Sequence, residues 1–348
     1  MNILIVKLGS IGDIVHTLPA LAAIRHELPH ARVVWAAERR SAEILRDHPM
    51  IDELIEIDTR GLRNLRRIED SLPAAASQIR QLRKFKFDVA LDFQGLMKSG
   101  LVAKLSGAKE RWGFSGKDLR EPASRVFLTN SARVVEGCHI IQKNLELVRK
   151  SLSIPVPTAD FEFPIKTGPA DKAEANQIAS AAGPRFLILN PAGGWVTKLW
   201  PPENFAHLAD ALWNRMGIRA VVVTGPNEGE VAAAVRRASN SGSIIFSQPS
   251  LKGFYELARL ASLYVGGDTG PTHIAVAAGT PVVGLFGPTE WWRNGSPNPE
   301  DICVERLDIE CRVNCHRRKC SNWICMNSDV ETVYNACERR LIREQVAA

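Results

Sequence analysis

The sequence predicts an α/β protein of two domains, each built on a parallel sheet. Three observations carry this. Short apolar runs are continuous rather than alternating, as in strands covered on both faces. Gly-bearing loops follow several of these runs and lead into helical periodicity. The 348 residues, interrupted near the middle by a proline-rich stretch, fit two domains on the usual scale of about 100–200 residues each.

Asn2–Leu8 is the first strand, broken only by Lys7. Gly9-Ser10-Ile11-Gly12-Asp13 follows, then a helix with apolar Ile14, Val15, Leu18, Leu21, Ala22 and Leu28. This unit lacks the G-x-G-x-x-G dinucleotide pattern. Only Gly9 and Gly12 are present, and the acid after them would repel a pyrophosphate. Asp13 is either a helix cap, worth about 1 kcal/mol, or a carboxylate held at the mouth of the sheet, where open α/β folds bind ligands.

Arg32–Ala37 reads as a strand, Ser41–Asp47 as a short helix and Leu54–Ile57 as a strand. Arg60, Arg63, Arg66 and Arg67 then crowd one segment. They form either a solvated face or a cradle for a multiply anionic substrate, since guanidinium forks match carboxylate and phosphate. After a helix ending near Lys84, the strand Asp88–Phe93 runs into Gln94–Ser99, a loop that carries Lys98. Arg111–Phe114 is a strand, Arg120 lies in the loop beyond it, and His139–Leu152 has helical periodicity. Ile154–Asp171, with Pro155, Pro157, Pro164 and Pro169, reads as the linker.

The pattern then restarts. Arg185–Asn190 is a strand, followed by a flexible loop through Gly193, Gly194 and Lys198 and by the helix Pro202–Met216. Arg219–Gly225 and Ser243–Gln248 are strands, each followed by a helix, Glu228–Ser239 and Leu251–Ser262. Leu263–Gly267, a glycine-rich turn, a helix from Pro271 and the strand Pro281–Phe286 complete the alternation. Pro suits a first helical position. The unpaired N–H groups there, at the positive end of the helix dipole, make an anion site. Thr269, Thr272 and His273 add donors, and Asp268 could accept from a sugar or base. The alternative is an ordinary βα turn with His273 a satisfied helix residue.

Beyond Pro288 the chain turns irregular and carries Cys311-x3-Cys315-x4-Cys320-x4-Cys325. Four cysteines so close could bind zinc, although no C-x2-C pair is present. Asp329 to about Gln345 is an amphipathic helix with Val330, Val333, Tyr334, Cys337 and Leu341 on one side.

A composition of 45% hydrophobic and 24% charged residues is that of a globular protein. The net charge of +6 points to acidic partners. No stretch approaches the roughly 20 apolar residues of a membrane span. The start MNILIVKLGSIGD has no basic leader, so a cytoplasmic chain is expected. Seven cysteines in such a chain are not a disulfide framework. The basic residues are scattered and no recognition module interleaves them with aromatics, which weighs against a nucleic-acid-binding protein.

Five blocks in order resemble glycosyltransferase family 9, the ADP-heptose:lipopolysaccharide heptosyltransferases. They are KLGSIGDIVHTLPAL at 7–21, DFQGLMKS at 92–99, REP at 120–122, KLWP at 198–201 and GGDTGPTHIAVAAGTPVVGLFGPT at 266–289. Within the family the pattern is nearest to heptosyltransferase I, which adds the first heptose to Kdo–lipid A. The resemblance implies a GT-B fold, two Rossmann-like domains facing across a cleft. The acceptor domain is then expected at 1–160 and the nucleotide-sugar domain at 161–328, with the helix 329–348 packing back toward the first.

It also implies inverting transfer from ADP-heptose without cofactor or metal, and no D-x-D pair is present to hold a divalent cation. Asp13 is then the general base and Lys198 stabilises the ADP leaving group. Thr269, Gly270 and His273 assist Lys198, with Asp268 beside them in the donor site. Gly193 and Gly194 stand where relatives contact phosphate through hydroxyls, so here only backbone N–H groups could do so. Glu228 is a candidate for ribose hydroxyls, and Gln248 to Leu251 would lie beside adenine. Ser10, Arg60, Arg63, Lys98 and Arg120 are candidates for Kdo carboxylates and lipid A phosphates. The resemblance places the chain at the inner face of the cytoplasmic membrane as a peripheral protein. Heptosyltransferase II, another family 9 specificity and a GT-B nucleotide-sugar epimerase are the alternatives.

Overall fold

The computed structural model describes residues 1–58, 77–311, 315 and 317–347. Its contacts divide the chain into two units, Met1–Lys166 and Thr167–Ala348. The division falls inside the proline-rich stretch expected to link two domains.

In the first unit the strands are β1 (Asn2–Val6), β2 (Arg32–Glu38), β3 (Glu53–Ile57), β4 (Val89–Asp92), β5 (Glu110–Phe114) and β6 (Asn130–Ala132). They form a parallel sheet in the order β3-β2-β1-β4-β5-β6. The apolar runs explain the arrangement. Leu4 and Val6 of β1, Val34 and Ala36 of β2 and Ala90 of β4 are buried in one core cluster, while Ile3, Ile5 and Trp35 are buried as well. Strands buried on both faces need helices on both faces. Those described are α1 (Ile11–Val15), α2 (Leu18–Glu27), α3 (Met97–Leu105) and α4 (Ile140–Leu152), with a helical run over 77–84. The segment expected as a short helix at Ser41–Asp47 is two 3₁₀ turns, Arg39–Ser41 and Glu43–Leu45.

The second unit begins with α5 (Pro169–Ala182), a helix where the sequence reading ran the linker on to Asp171. Pro169 sits at its start, where a missing N–H costs nothing. The strands are β7 (Phe186–Asn190), β8 (Arg219–Val223), β9 (Ile245–Ser247), β10 (Leu263–Gly267), β11 (Val282–Phe286) and β12 (Ile302–Glu305). Their parallel order is β12-β11-β10-β7-β8-β9. The helices are α6 (Pro202–Met216), α7 (Gly229–Ala238), α8 (Leu251–Leu260), α9 (Gly270–Ala277), α10 (Trp291–Asn294) and α11 (Val330–Ala347).

The short strands β6 and β12 were not foreseen in the sequence. The last helix, α11, belongs to the second unit, where it packs on α6 and on β10 to β12. There it buries Val333, Tyr334, Cys337 and Leu341 in that unit's core.

Both sheets have the strand order of a dinucleotide-binding doubly wound fold, in which strands 4–6 are added on the opposite side of strand 1 from strands 2 and 3. The order reverses between β1 and β4 in the first unit and between β7 and β10 in the second. Crevices at the carboxyl ends of these strands are where such sheets hold ligands. Among the described residues no helix is long and apolar enough to cross a membrane.

Candidate active site

At the reversal point of the first sheet, Asp13 sits in the first turn of α1, with its side chain 26% exposed. One carboxylate oxygen, Oδ2, accepts from the backbone N–H of Ser10 at 2.9 Å and from the Ser10 hydroxyl at 3.3 Å. Arg120 Nη1 is 3.8 Å from the same oxygen, and Lys7 Nζ is 3.5 Å from Oδ1. Burial opposes ionisation of Asp13. Lys7, Arg120 and the Ser10 amide outweigh it and hold the carboxyl below its ordinary value. Both sequence readings of Asp13 are therefore met in one group: it caps α1, and it is an ionised carboxylate at the mouth of the sheet.

Lys7 is only 3% exposed and also donates to the Phe93 carbonyl at 2.9 Å. Gln94 ties the loop after β4 to the loop after β1. Its Oε1 accepts from the Leu8 and Gly9 amides at 3.0 and 3.3 Å, and its Nε2 donates to the Gly9 carbonyl at 2.6 Å. Asp92 is fully buried and accepts from the Gln94 and Gly95 amides and the Ser99 hydroxyl. Burial pushes its pKa up to about 6 against these bonds and Lys7. Lys98 reaches Glu38 Oε1 at 2.5 Å, so its ammonium is paired with a buried acid at the end of β2. Arg60 and Arg63 lie outside the described residues.

At the reversal point of the second sheet, Lys198 Nζ lies 2.5 Å from Asp268 Oδ2 and donates to the Asp268 carbonyl at 3.2 Å. Thr289 Oγ1 donates to Oδ2 at 2.7 Å, and His273 Nε2 is 3.2 Å from Oδ1. Burial disfavours the Asp268 anion, but His273 and Lys198 more than compensate and hold its pKa well below the carboxylate range. The same ammonium stands 4.4 Å from the Trp195 ring, and the Arg318 guanidinium 4.8 Å from it. Thr197 donates to the Arg317 carbonyl at 2.5 Å and accepts from Trp323 Nε1 at 3.1 Å. The cysteine-bearing stretch thereby holds the Lys198 loop.

Thr269 is the N-cap of α9 but makes no side-chain cap bond. Its hydroxyl instead donates to Asn190 Oδ1 at 3.3 Å, and Asn190 Nδ2 donates to the Val223 carbonyl at 3.0 Å. Thr269 thus leaves the first N–H groups of α9, those of Gly270 and Thr272 on either side of Pro271, without a side-chain cap from its hydroxyl. Close approach explains the glycines. A Cβ on Gly193 would lie 2.6 Å from Thr269 Cγ2, and one on Gly267 would lie 2.7 Å from the Lys198 carbonyl. Gly194 is open. Glu228 turns back to accept from the Gly225 amide at 2.5 Å.

A family model described as Glycosyltransferase family 9 (heptosyltransferase) matches residues 75–323. The chain belongs to that family. It is a glycosyltransferase of GT-B type. Lipopolysaccharide heptosyltransferase 1 of Pseudomonas aeruginosa is 28% identical to this family 9 member over 292 residues, 83% of this chain and 79% of its own. Among solved structures, E. coli heptosyltransferase WaaC with ADP aligns over 98% of this chain and 100% of its own, with a TM-score of 0.80 and 22% identity. WaaC with ADP-2-deoxy-2-fluoro heptose aligns over 99% and 100%, with a TM-score of 0.75 and 23% identity.

The family 9 chain places Asp13, Ser10 and Arg120 together, and likewise Lys198, Asp268, Thr269, Gly270, His273 and Gly193. It adds Lys7, Gln94 and Asn190, to which the sequence reading gave no role. Lys7 carried a signal, because a cation inside an otherwise apolar strand needs a buried partner. Among the described residues no three His, Cys, Asp or Glu side chains are grouped to hold a metal ion. All seven cysteines are free thiols. Burial, together with Cys315, Cys311 and Cys320, raises the Cys325 thiol above its ordinary pKa.

Proposed function

We propose that this enzyme transfers L-glycero-D-manno-heptose from ADP-heptose to the Kdo of the lipopolysaccharide inner core, with inversion and without a metal. The observation that carries the reading is Asp13, an ionised carboxylate flanked by cations at the reversal point of the first sheet. The names of the P. aeruginosa and E. coli relatives, and the ADP and ADP-heptose analogue bound to WaaC, support the choice of donor and acceptor.

In this mechanism Asp13 takes the proton of an acceptor hydroxyl while that oxygen attacks the anomeric carbon and the bond to ADP breaks. A carboxylate with a depressed pKa is a weak base. The proton therefore moves late, once C–O bond formation has acidified the hydroxyl. The diphosphate charge is met by Lys198, by the amides at the start of α9 and by His273. For this Lys198 exchanges Asp268 for phosphate. Gly193 and Gly194 offer backbone amides, and Glu228 receives the ribose. Arg120, Lys98 and Ser10, with Arg60 and Arg63, receive the anionic acceptor. The protein acts as a peripheral enzyme at the cytoplasmic face of the inner membrane.

The test is ADP release from ADP-heptose with deacylated Kdo2–lipid A, each alone and together. Release only with both is expected. Asp13→Ala should keep donor binding and lose turnover by about 10²–10⁴, the usual worth of a general base. Near-normal turnover would remove Asp13 from the mechanism.

A further inference from the structure

Helix α3 starts beside the Asp13 cluster, where Glu121 caps the Met97 amide at 2.6 Å. Its outward stripe is Met97, Leu101 and Lys104, at positions i, i+4 and i+7. Met97 and Leu101 are 39% and 42% exposed. A 3₁₀ segment, Pro122–Phe127, lies against α3 over Gly100, whose Cβ would meet Phe127 at 2.9 Å. It adds Val126, 72% exposed, and Arg125. Lys104 covers the Phe127 ring at 5.9 Å. Residues 97–128 carry seven Lys or Arg against three Asp or Glu. Lys98, Lys109, Lys117 and Arg120 pair with Glu38, Asp88, Glu136 and Asp13, and Lys104 and Arg125 are the cations beside the exposed apolar side chains.

Exposed apolar side chains flanked by cations such as Lys104 and Arg125 suit the headgroup boundary of an anionic bilayer. The apolar groups enter the acyl edge and the cations meet lipid phosphates. We propose that the outward face of α3 and Pro122–Phe127 is the surface by which this enzyme docks on an anionic membrane. This inference rests on the proposed lipid-borne acceptor and assigns it a direction of approach. The sugar headgroup of a lipid embedded beside α3 enters at the end of that helix where Arg120 and Asp13 stand.

The test uses the full chain and vesicles of phosphatidylglycerol and phosphatidylethanolamine, with phosphatidylcholine vesicles as reference. Wild type should sediment with the anionic vesicles only, and less so at high salt. Leu101→Asp/Val126→Asp and Lys104→Gln/Arg125→Gln should each lower vesicle partitioning by about tenfold or more. Leu260→Asp, at an exposed apolar residue of the second unit, should leave partitioning unchanged. Turnover on the deacylated acceptor, which needs no membrane, should stay within about twofold of wild type in both double variants.

Wild-type-like partitioning of the double variants, an equal loss in Leu260→Asp, or no preference of wild type for anionic vesicles would each overturn the proposal. If wild type fails to use the deacylated acceptor yet docks through this face, the substrate assignment falls and the docking surface stands.

Discussion

At the residue scale the first site turns on Lys7. It is a buried cation whose nearest acid is Asp13, and it is the largest influence holding that carboxyl ionised against its own burial. Lys7→Met keeps the length of the side chain and removes the charge. Burial is then less opposed, and the Asp13 pKa rises. A higher pKa means less ionised Asp13, the proposed base, at any given acidic pH. The acid limb of kcat/KM in Lys7→Met should therefore move upward from that of wild type, with the alkaline limb unchanged. A pH–rate profile with the acid limb of wild type would show that the Lys7 charge does not govern the base.

At the scale of the element, the Lys198 loop is fitted to the start of α9 by contact. Gly193→Ala forces Thr269 or the loop to move and should cost about 1–3 kcal/mol of stability, as overpacking does. The same shift should weaken ADP binding by about tenfold, read by calorimetry. Gly194→Ala, in open space, should change neither by more than about 0.5 kcal/mol. Equal affinities in the two variants would uncouple the loop from α9.

The elements themselves were legible where burial on both faces forces a continuous apolar run, as in β1, β7, β10 and β11. They were not legible where this signal fails. Strand β6 is Asn130–Ala132 and only its last residue is buried. Helix α5 is Ala-rich with few buried residues and begins on a proline already assigned to the linker. The site shows the same division. Asp13 and Lys198 each follow an apolar run into a glycine loop, so position alone singles them out. Gln94 bonds Leu8 and Gly9, and Lys7 bonds the Phe93 carbonyl, partners 85 or more residues apart in the chain that no local period records.

At the scale of the molecule, each unit has its own sheet and its own buried cluster. Separate cores make two-state unfolding unexpected. Scanning calorimetry should resolve two transitions, and ADP should raise the one that belongs to 167–348. At a hundred times its Kd, ADP would stabilise that unit by about 2.7 kcal/mol. Hydrogen exchange should show the added protection after β7 and at α9. A single transition displaced as a whole by ADP would contradict this partition.

The ion pair of Lys198 with Asp268 has a kinetic consequence. In the proposed mechanism, the ammonium that would receive the departing diphosphate already has a resident anion, held in place by Thr289 and His273. Stray phosphate must compete with a tethered carboxylate, so the empty crevice is a poor trap for cellular anions. On release of ADP in that mechanism, the carboxylate would be at hand to take back the cation, and product escape would not strand a bare charge in a buried place. In the proposed cycle Asp268 is a returning counter-ion, one that would favour repeated turnover over tight retention of the spent nucleotide.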